Sequence, residues 1–389
     1  MIDQLSKLKQ FLIWICAFGI CLAIEFSVSS IEVIAQDRVF LNLSADFLGE
    51  YLFDKQDFQD APVGGLSGIT YDRSRDLFYV ISDDRSDKAP ARFYTLKLDF
   101  NKTAPKLESV TVVGVTALKN EKGETYARGE VDPEGIALSD QRIDRRSVFI
   151  SSEGVTSKGI PAFVNEFDLE TGAWLQSLPI PKRFSLDPEK PDRPQGIQDN
   201  LGFDALTLVS NGTGDPMRVF TATESALAQG KELLTRTEGI KSRFLHYVVG
   251  AGKPSIVAEH LYQLEPDPSK DANGLVELLV ADRGGHFLSL ERTFSVGFFG
   301  AKLFQLATGG ASDTSRIESL KGELRVQPIQ KKLLLDLSEL GFRLDNLEGM
   351  TFGPRLADGS QSLILVSDDN FNNLQTTQFL LFRLNGLPK

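Results

Sequence analysis

Cysteine is almost missing from this chain: of 389 residues only Cys16 and Cys21 are cysteines, and both lie in the first stretch. Beyond it there is no material for a disulfide, a thiolate metal site or a cysteine nucleophile. Histidine is scarce as well. His246, His260 and His286 stand far from any zinc-type spacing and read as ordinary structural or surface residues. Long apolar runs are also lacking. The longest, Phe11–Ile24, has 14 residues, where a bilayer span needs about 20. Lys7 and Lys9 precede it, and Val33-Ile34-Ala35 offers small or aliphatic residues before Gln36. The pattern predicts a signal peptide over residues 1–35, with an uncleaved anchor as the alternative. Ile15 and Ile20 precede the two cysteines, where a lipoprotein signal wants a small residue. Once the signal is cleaved, no stable membrane insertion is expected, and the mature protein is periplasmic or extracellular. Finally, positive charge is short: 42 Lys and Arg face 53 Asp and Glu, a net −11. That excludes nucleic acid as a natural partner and disfavours anionic membranes. It favours cations, or a small anionic substrate reached through bound cations. A protein partner is not indicated either way.

What the chain does contain is a repeat. Leu66-Ser-Gly-Ile69, Pro133-Glu-Gly-Ile136, Phe203-Asp-Ala-Leu206, Leu275-Val-Glu-Leu278 and Leu347-Glu-Gly-Met350 align at separations of 67, 70, 72 and 72 residues. Each opens a short apolar strand. A second strand follows in every copy and runs into an acid: Asp83, Glu153, Glu224, Glu291 and Asp368. A third strand comes next, and a fourth in four of the copies, several with the alternation of half-buried strands. The last copy runs out of chain, but Phe47–Phe53 is a strand-like segment left over near the N-terminus. Borrowing it closes a ring and removes the open sheet edges. The expectation is therefore an all-β chain: a β-propeller of about five four-stranded blades, in a single domain over 36–389. A sixth blade stays open if residues 116–130 or 309–332 hide strands, and a β-sandwich is the structural alternative. Ser185–Asp199 and Gly309–Gly322 read as long loops rather than linkers.

First and second strands of a blade are antiparallel neighbours, so the start of one and the end of the other share one end of the sheet. Acids occupy both places in three copies: Glu134 with Glu153, Asp204 with Glu224, and Glu348 with Asp368. The first copy has Ser67 with Asp83, and the fourth has Val276 with Glu291, so the pattern is not complete. In a propeller these carboxylates converge on one mouth of the channel. Such a ring repels itself unless cationic side chains or hard cations neutralise it. Oxygen donors without cysteine suit Ca²⁺ or Mg²⁺, with Asp83, Glu134, Glu153, Asp204, Glu224, Glu291, Glu348 and Asp368 as ligand candidates. The competing reading is a turn residue at a repeated position. The doublets Asp83-Asp84 and Asp368-Asp369 favour a site, because a turn needs only one side chain. Arg85, Arg92 and Arg292 stand beside the acids and suit bidentate binding of phosphate or carboxylate. Glu134, Glu153 and Arg292 are the catalytic candidates. No P-loop, dinucleotide fingerprint or nucleophile elbow is present; Gly65-Leu-Ser-Gly68 continues with Ile69 where an elbow has Gly.

Several of these segments together resemble the phytase-like domain family, also called the esterase-like activity of phytase family. They are Gly64-Gly-Leu-Ser-Gly68, Ile81-Ser-Asp-Asp-Arg85, Ala91-Arg-Phe-Tyr94, Asp132-Pro-Glu-Gly-Ile136, Leu290-Glu-Arg292, Asp345-Asn-Leu-Glu-Gly349 and Ser367-Asp-Asp-Asn-Phe371. The resemblance runs from about residue 60 to 385. It implies an exported propeller related in architecture to the calcium-dependent phytases, whose repeated Glu and Asp residues carry phosphoester-hydrolase-like activity. It does not imply phytate as the substrate. The function expected is a divalent-cation-dependent hydrolase of phosphate esters. The alternatives are a non-catalytic binding propeller of the cell envelope and a calcium-dependent lactonase or esterase on the same ring.

Overall fold

The computed structural model describes residues 39–388, apart from 102–103, 140–145, 188, 190–193, 211, 213–214, 233–238, 267–271, 296–297 and 323–324. The predicted signal peptide lies outside the described residues. Asn42–Lys389 forms one unit by its contacts.

Five antiparallel four-stranded sheets stand around a ring as the blades of a β-propeller. The innermost strands are Leu66–Asp72, Pro133–Ser139, Phe203–Val209, Ala272–Val280 and Asn346–Arg355, in blades I to V. Each is the first strand of its repeat, as the sequence predicts, and each neighbours the innermost strands of the blades on either side. Second strands are Leu77–Ser82, Ser147–Ser152, Met217–Thr223, His286–Ser295 and Gln361–Asp368. The fourth strand of blade V is Ser44–Phe53 from the other end of the chain, paired antiparallel with Thr377–Asn385 from Ser44↔Asn385 to Phe53↔Thr377. This strand was legible from Phe47, and the observed pairing begins three residues earlier. No sixth blade exists among the described residues. Residues 118–130 hold only isolated bridges, Lys119↔Thr125 and Lys119↔Ala173. The described residues of 309–329 hold no strand, and Arg243 donates to the carbonyls of Ile317 and Glu318 among them.

The period-2 alternation of the strands gives every blade two apolar faces, and these meet only at the seams between blades. Five apolar clusters result. Phe78, Tyr94 and Phe379 fill the V–I seam, and Phe93, Ile136 and Phe167 the I–II seam. Phe149, Phe203 and Tyr247 fill II–III; Phe220, Phe244 and Phe287 fill III–IV; and Leu290, Leu347 and Phe382 fill IV–V. Full burial of one such side chain is worth about 1.5–3 kcal/mol. Shape is therefore held by the seams.

Candidate active site at the acidic mouth

The acids reach one mouth through a shared backbone device. In all five blades the pairing of first and second strands slips at the same place: Leu66/Gly68, Pro133/Ile136, Phe203/Leu206, Leu275/Glu277 and Leu347/Gly349. The residue at each slip is Ser67, Glu134, Asp204, Val276 or Glu348. A β-bulge turns its extra residue out of the alternation; here Glu134, Asp204 and Glu348 meet the other carboxylates at the mouth, while Val276 packs in the IV–V seam. The glycine that follows allows the next blade to approach. A Cβ on Gly68 would sit 2.7 Å from the Glu134 carbonyl oxygen, and one on Gly349 would sit 3.0 Å from that of Ser67. Ser67 itself donates its hydroxyl to the Glu134 carbonyl at 2.9 Å.

The second series of acids follows the ends of the second strands. Asp83, Asp132 and Glu134 bring carboxylate oxygens within 4.8 Å of one another across the I–II seam, and Glu153, Asp204 and Glu224 do the same across II–III. Glu348 and Asp368 continue the ring in blade V, and Coulombic coupling links both to Asp83. Among the described residues, two cationic side chains balance these eight carboxylates directly. Arg85 forks onto Asp132, with Nε at 2.6 Å from Oδ1, and also reaches Asn200 at 2.6 Å. Arg292 bridges Glu224 at 2.8 Å and Glu348 at 3.0 Å, and is steadied by the Asn346 side-chain oxygen at 2.6 Å.

Protonation follows from that imbalance. Burial, reinforced by neighbouring carboxylates, pushes Asp83, Glu134, Asp204 and Asp368 well above the usual range. Glu153 is pushed up to about 8 by burial and Glu224, and Glu348 to about 7 by burial, although Arg292 opposes it. Burial raises Asp132 too, with Arg85 working against it. Asp204 Oδ1 is buried without a hydrogen-bond partner, and the Gly202 N–H donates to Glu153. An oxygen-only donor set with an orphaned buried carboxylate atom fits a hard divalent cation at either cluster.

Blade IV departs from the sequence alignment. Leu275 pairs with Glu291, so the residue matching Asp83, Glu153, Glu224 and Asp368 is Arg292, not Glu291. A shift of one residue flips a strand side chain to the other face. Glu291 is accordingly buried away from the mouth, where Tyr262 OH donates to it at 2.7 Å and Lys331 pairs with it. It is not a ring ligand. Arg92 is also removed from the candidate substrate contacts. It is 2% exposed, pairs with Asp84 at 2.7 Å, and donates to the Tyr94 hydroxyl and the Pro62 carbonyl. Arg85, Arg292 and the other acids named from the sequence do come together. None of the histidines joins them; His286, for example, pairs with Asp282.

Three contributors escape the repeat alignment. Asp132 and Asn346 each precede the bulge by two residues, a position the alignment did not score. Glu277 fills the place that is glycine in blades I, II and V. Its buried carboxyl accepts from the N–H groups of Leu206 at 3.2 Å and Leu278 at 2.9 Å. Three backbone donors, the third from Met350, fail to offset burial, and the group stays well above the usual range.

A family model described as "Phytase-like: Esterase-like activity of phytase" matches residues 61–371. Among solved structures, the chain is similar to the catalytic domain of Coprinopsis cinerea GH62 α-L-arabinofuranosidase at 10% identity, covering 89% of this chain and 98% of that one, with a TM-score of 0.39. An endo-arabinase from Bacteroides thetaiotaomicron is matched at 10% identity over 84% and 97%, TM-score 0.39. The Dos1 propeller is matched at 10% over 83% and 69%, TM-score 0.35. No curated protein matches the chain.

Proposed function

The chain belongs to the phytase-like family, and from that premise we propose an exported, divalent-cation-dependent hydrolase of phosphate esters. The observation that carries the reading is the surplus of carboxylates. Eight acids face two arginines in a buried mouth, and six of the eight fall into two groups of three. Asp83, Asp132 and Glu134 would hold one cation and Glu153, Asp204 and Glu224 another, Ca²⁺ or Mg²⁺ by the hardness of their oxygens. Bound there, such ions supply Lewis-acid polarisation of the phosphoryl oxygens and a water of lowered pKa.

The chain's own groups supply the remainder. Arg292 is a fixed cation between two blades and can turn from Glu224 and Glu348 to a phosphoryl oxygen. Glu134 and Glu153 belong one to each cluster, and either can take the proton of an attacking water once deprotonated. Arg85 is held by Asp132 and Asn200 at the edge of the mouth, in place to orient a substrate anion. Export rests on the apolar segment Phe11–Ile24 and the cleavage motif that follows it.

A panel of phosphomonoesters, phosphodiesters and lactones, assayed with Ca²⁺, with Mg²⁺ and with chelator, tests the reading. Chelator-reversible release of phosphate is expected, abolished by Glu153→Gln. Hydrolysis of lactones alone would make the protein an esterase. Inertness toward the whole panel, with cation bound, would make it a binding propeller.

A further inference from the structure

Blade IV is built differently above the ring. Its first three strands, Ala272–Val280, His286–Ser295 and Phe298–Ala307, have 9, 10 and 10 residues; the first two strands of blades I to III have 6 or 7, and in blade V, with 10 and 8, the first strand starts just one residue before the slip at Leu347. The excess lies at the mouth end. From Arg292, which faces the ring acids, the ladder continues to Ser295↔Phe298 without a register shift. Alternation is therefore preserved, and Phe294 lies on the same face as Arg292, about 7 Å farther out along the strand. Its cross-strand partner Phe299 shares that face, and the two rings meet at 5.2 Å between centroids and 45° between planes. Phe294 stays 37% exposed. An aromatic pair thus stands above the one ring arginine that bridges two blades, beside the carboxylates of the mouth.

Resting on the hydrolase reading, we infer that this pair is the leaving-group subsite, and that the substrate is a phosphate ester with an aromatic or extended apolar leaving group. A polyanionic substrate gains nothing from two phenyl rings, whereas an aryl group stacking on them gains contact that water cannot match. Arg292 holds the phosphoryl end, and the pair takes the group two residues farther out. Phe298 is 69% exposed and projects from the opposite face of the same hairpin, so it serves as an internal control.

The test is the ratio of kcat/KM for an aryl phosphate to that for a short-chain alkyl phosphate, in the presence of Ca²⁺. Phe294→Ala should lower the ratio about fivefold or more, the worth of one aromatic contact, and Phe294→Tyr should restore it. Phe298→Ala should leave it unchanged. Calorimetric binding of phenylphosphonate against methylphosphonate is run in parallel. A preference for the phenyl compound that Phe294→Ala removes supports the subsite even if no ester is cleaved, in which case the hydrolase reading alone falls. A ratio unmoved by Phe294→Ala in an active enzyme overturns the subsite and leaves that reading intact. Failure of phenylphosphonate to bind in the presence of Ca²⁺ also overturns the subsite.

Discussion

The two acidic doublets show how individual side chains divide the work. The second acid of each is spent on its turn: Asp84 takes the N–H groups of Asp87 at 2.7 Å and Lys88 at 3.1 Å, and Asp369 takes those of Gly65 at 3.0 Å and Phe371 at 3.1 Å. Asp83 is thereby released to the ring, whereas Asp368 serves both, its Oδ1 taking the Asn370 N–H at 2.7 Å. Arg292 is the residue on which charge balance in blades III to V depends. Arg292→Met should destabilise the cation-free protein by about 3 kcal/mol at pH 8, since it strands two carboxylates. At pH 5 the loss should be smaller, because Glu348 protonates. Urea denaturation at the two pH values measures this. The raised carboxyls set a wider pH dependence. Glu153 and Glu348 start from an ordinary value of 4.5 and reach about 8 and about 7 in the fold. The folded state therefore binds more protons than the unfolded one across that interval, and stability falls as pH rises through it. Without cation, thermal midpoints should drop steadily from about pH 4.5 to 8; a flat or rising profile contradicts the account. Added Ca²⁺ should reverse the drop, most strongly at the alkaline end.

Elements place those residues, and here legibility in the sequence was uneven. The five first strands and their acids were visible because apolar runs and spacings are properties of composition along the chain. The bulges were not, because alternation alone does not mark where two residues oppose one. Glu291 was misassigned for that reason: in blade IV the strand runs on past the ring, and an acid one position early lands on the buried face. The signal that could have corrected it was Arg292 at the ring position, read as a replacement for the acid rather than its neighbour. Arg92 was misjudged because sequence proximity to Asp83-Asp84 does not reveal which of the two acids holds it. The bulge glycines make a direct prediction. Gly68→Ala drives a methyl against the Glu134 backbone and should cost about 1–3 kcal/mol while spreading blades I and II. Gly252→Ala, with nothing within 4 Å of the added carbon, should cost almost nothing. Equal effects in the two variants would refute the close approach at the ring.

The unit Asn42–Lys389 is a closed ring in which stability and site depend on the same closure. The strand Ser44–Phe53 completes blade V, whose Glu348 and Asp368 belong to the mouth. Deleting residues 36–53 should therefore expose the edge of Thr377–Asn385, broaden the unfolding transition and weaken cation binding together. A chain beginning at Gln36 should retain both. The fold was legible at this scale because a ring must hide its edges, and the leftover segment had nowhere else to go. What the sequence could not convey was the electrostatic balance of the mouth, which depends on the meeting of side chains some 70 residues apart.

Calorimetric titration of chelator-treated protein with Ca²⁺, at pH 6 and pH 8 in buffers of different ionisation heat, tests the central claim most directly. Two tight sites are predicted. Binding should release protons, because the clustered carboxyls give them up to the cation, and more should be released at pH 6 than at pH 8. Glu153→Gln and Asp204→Asn should each abolish the site of Glu153, Asp204 and Glu224 and spare that of Asp83, Asp132 and Glu134. No heat of binding with either Ca²⁺ or Mg²⁺, or binding that survives both substitutions intact, would contradict a cation-holding mouth.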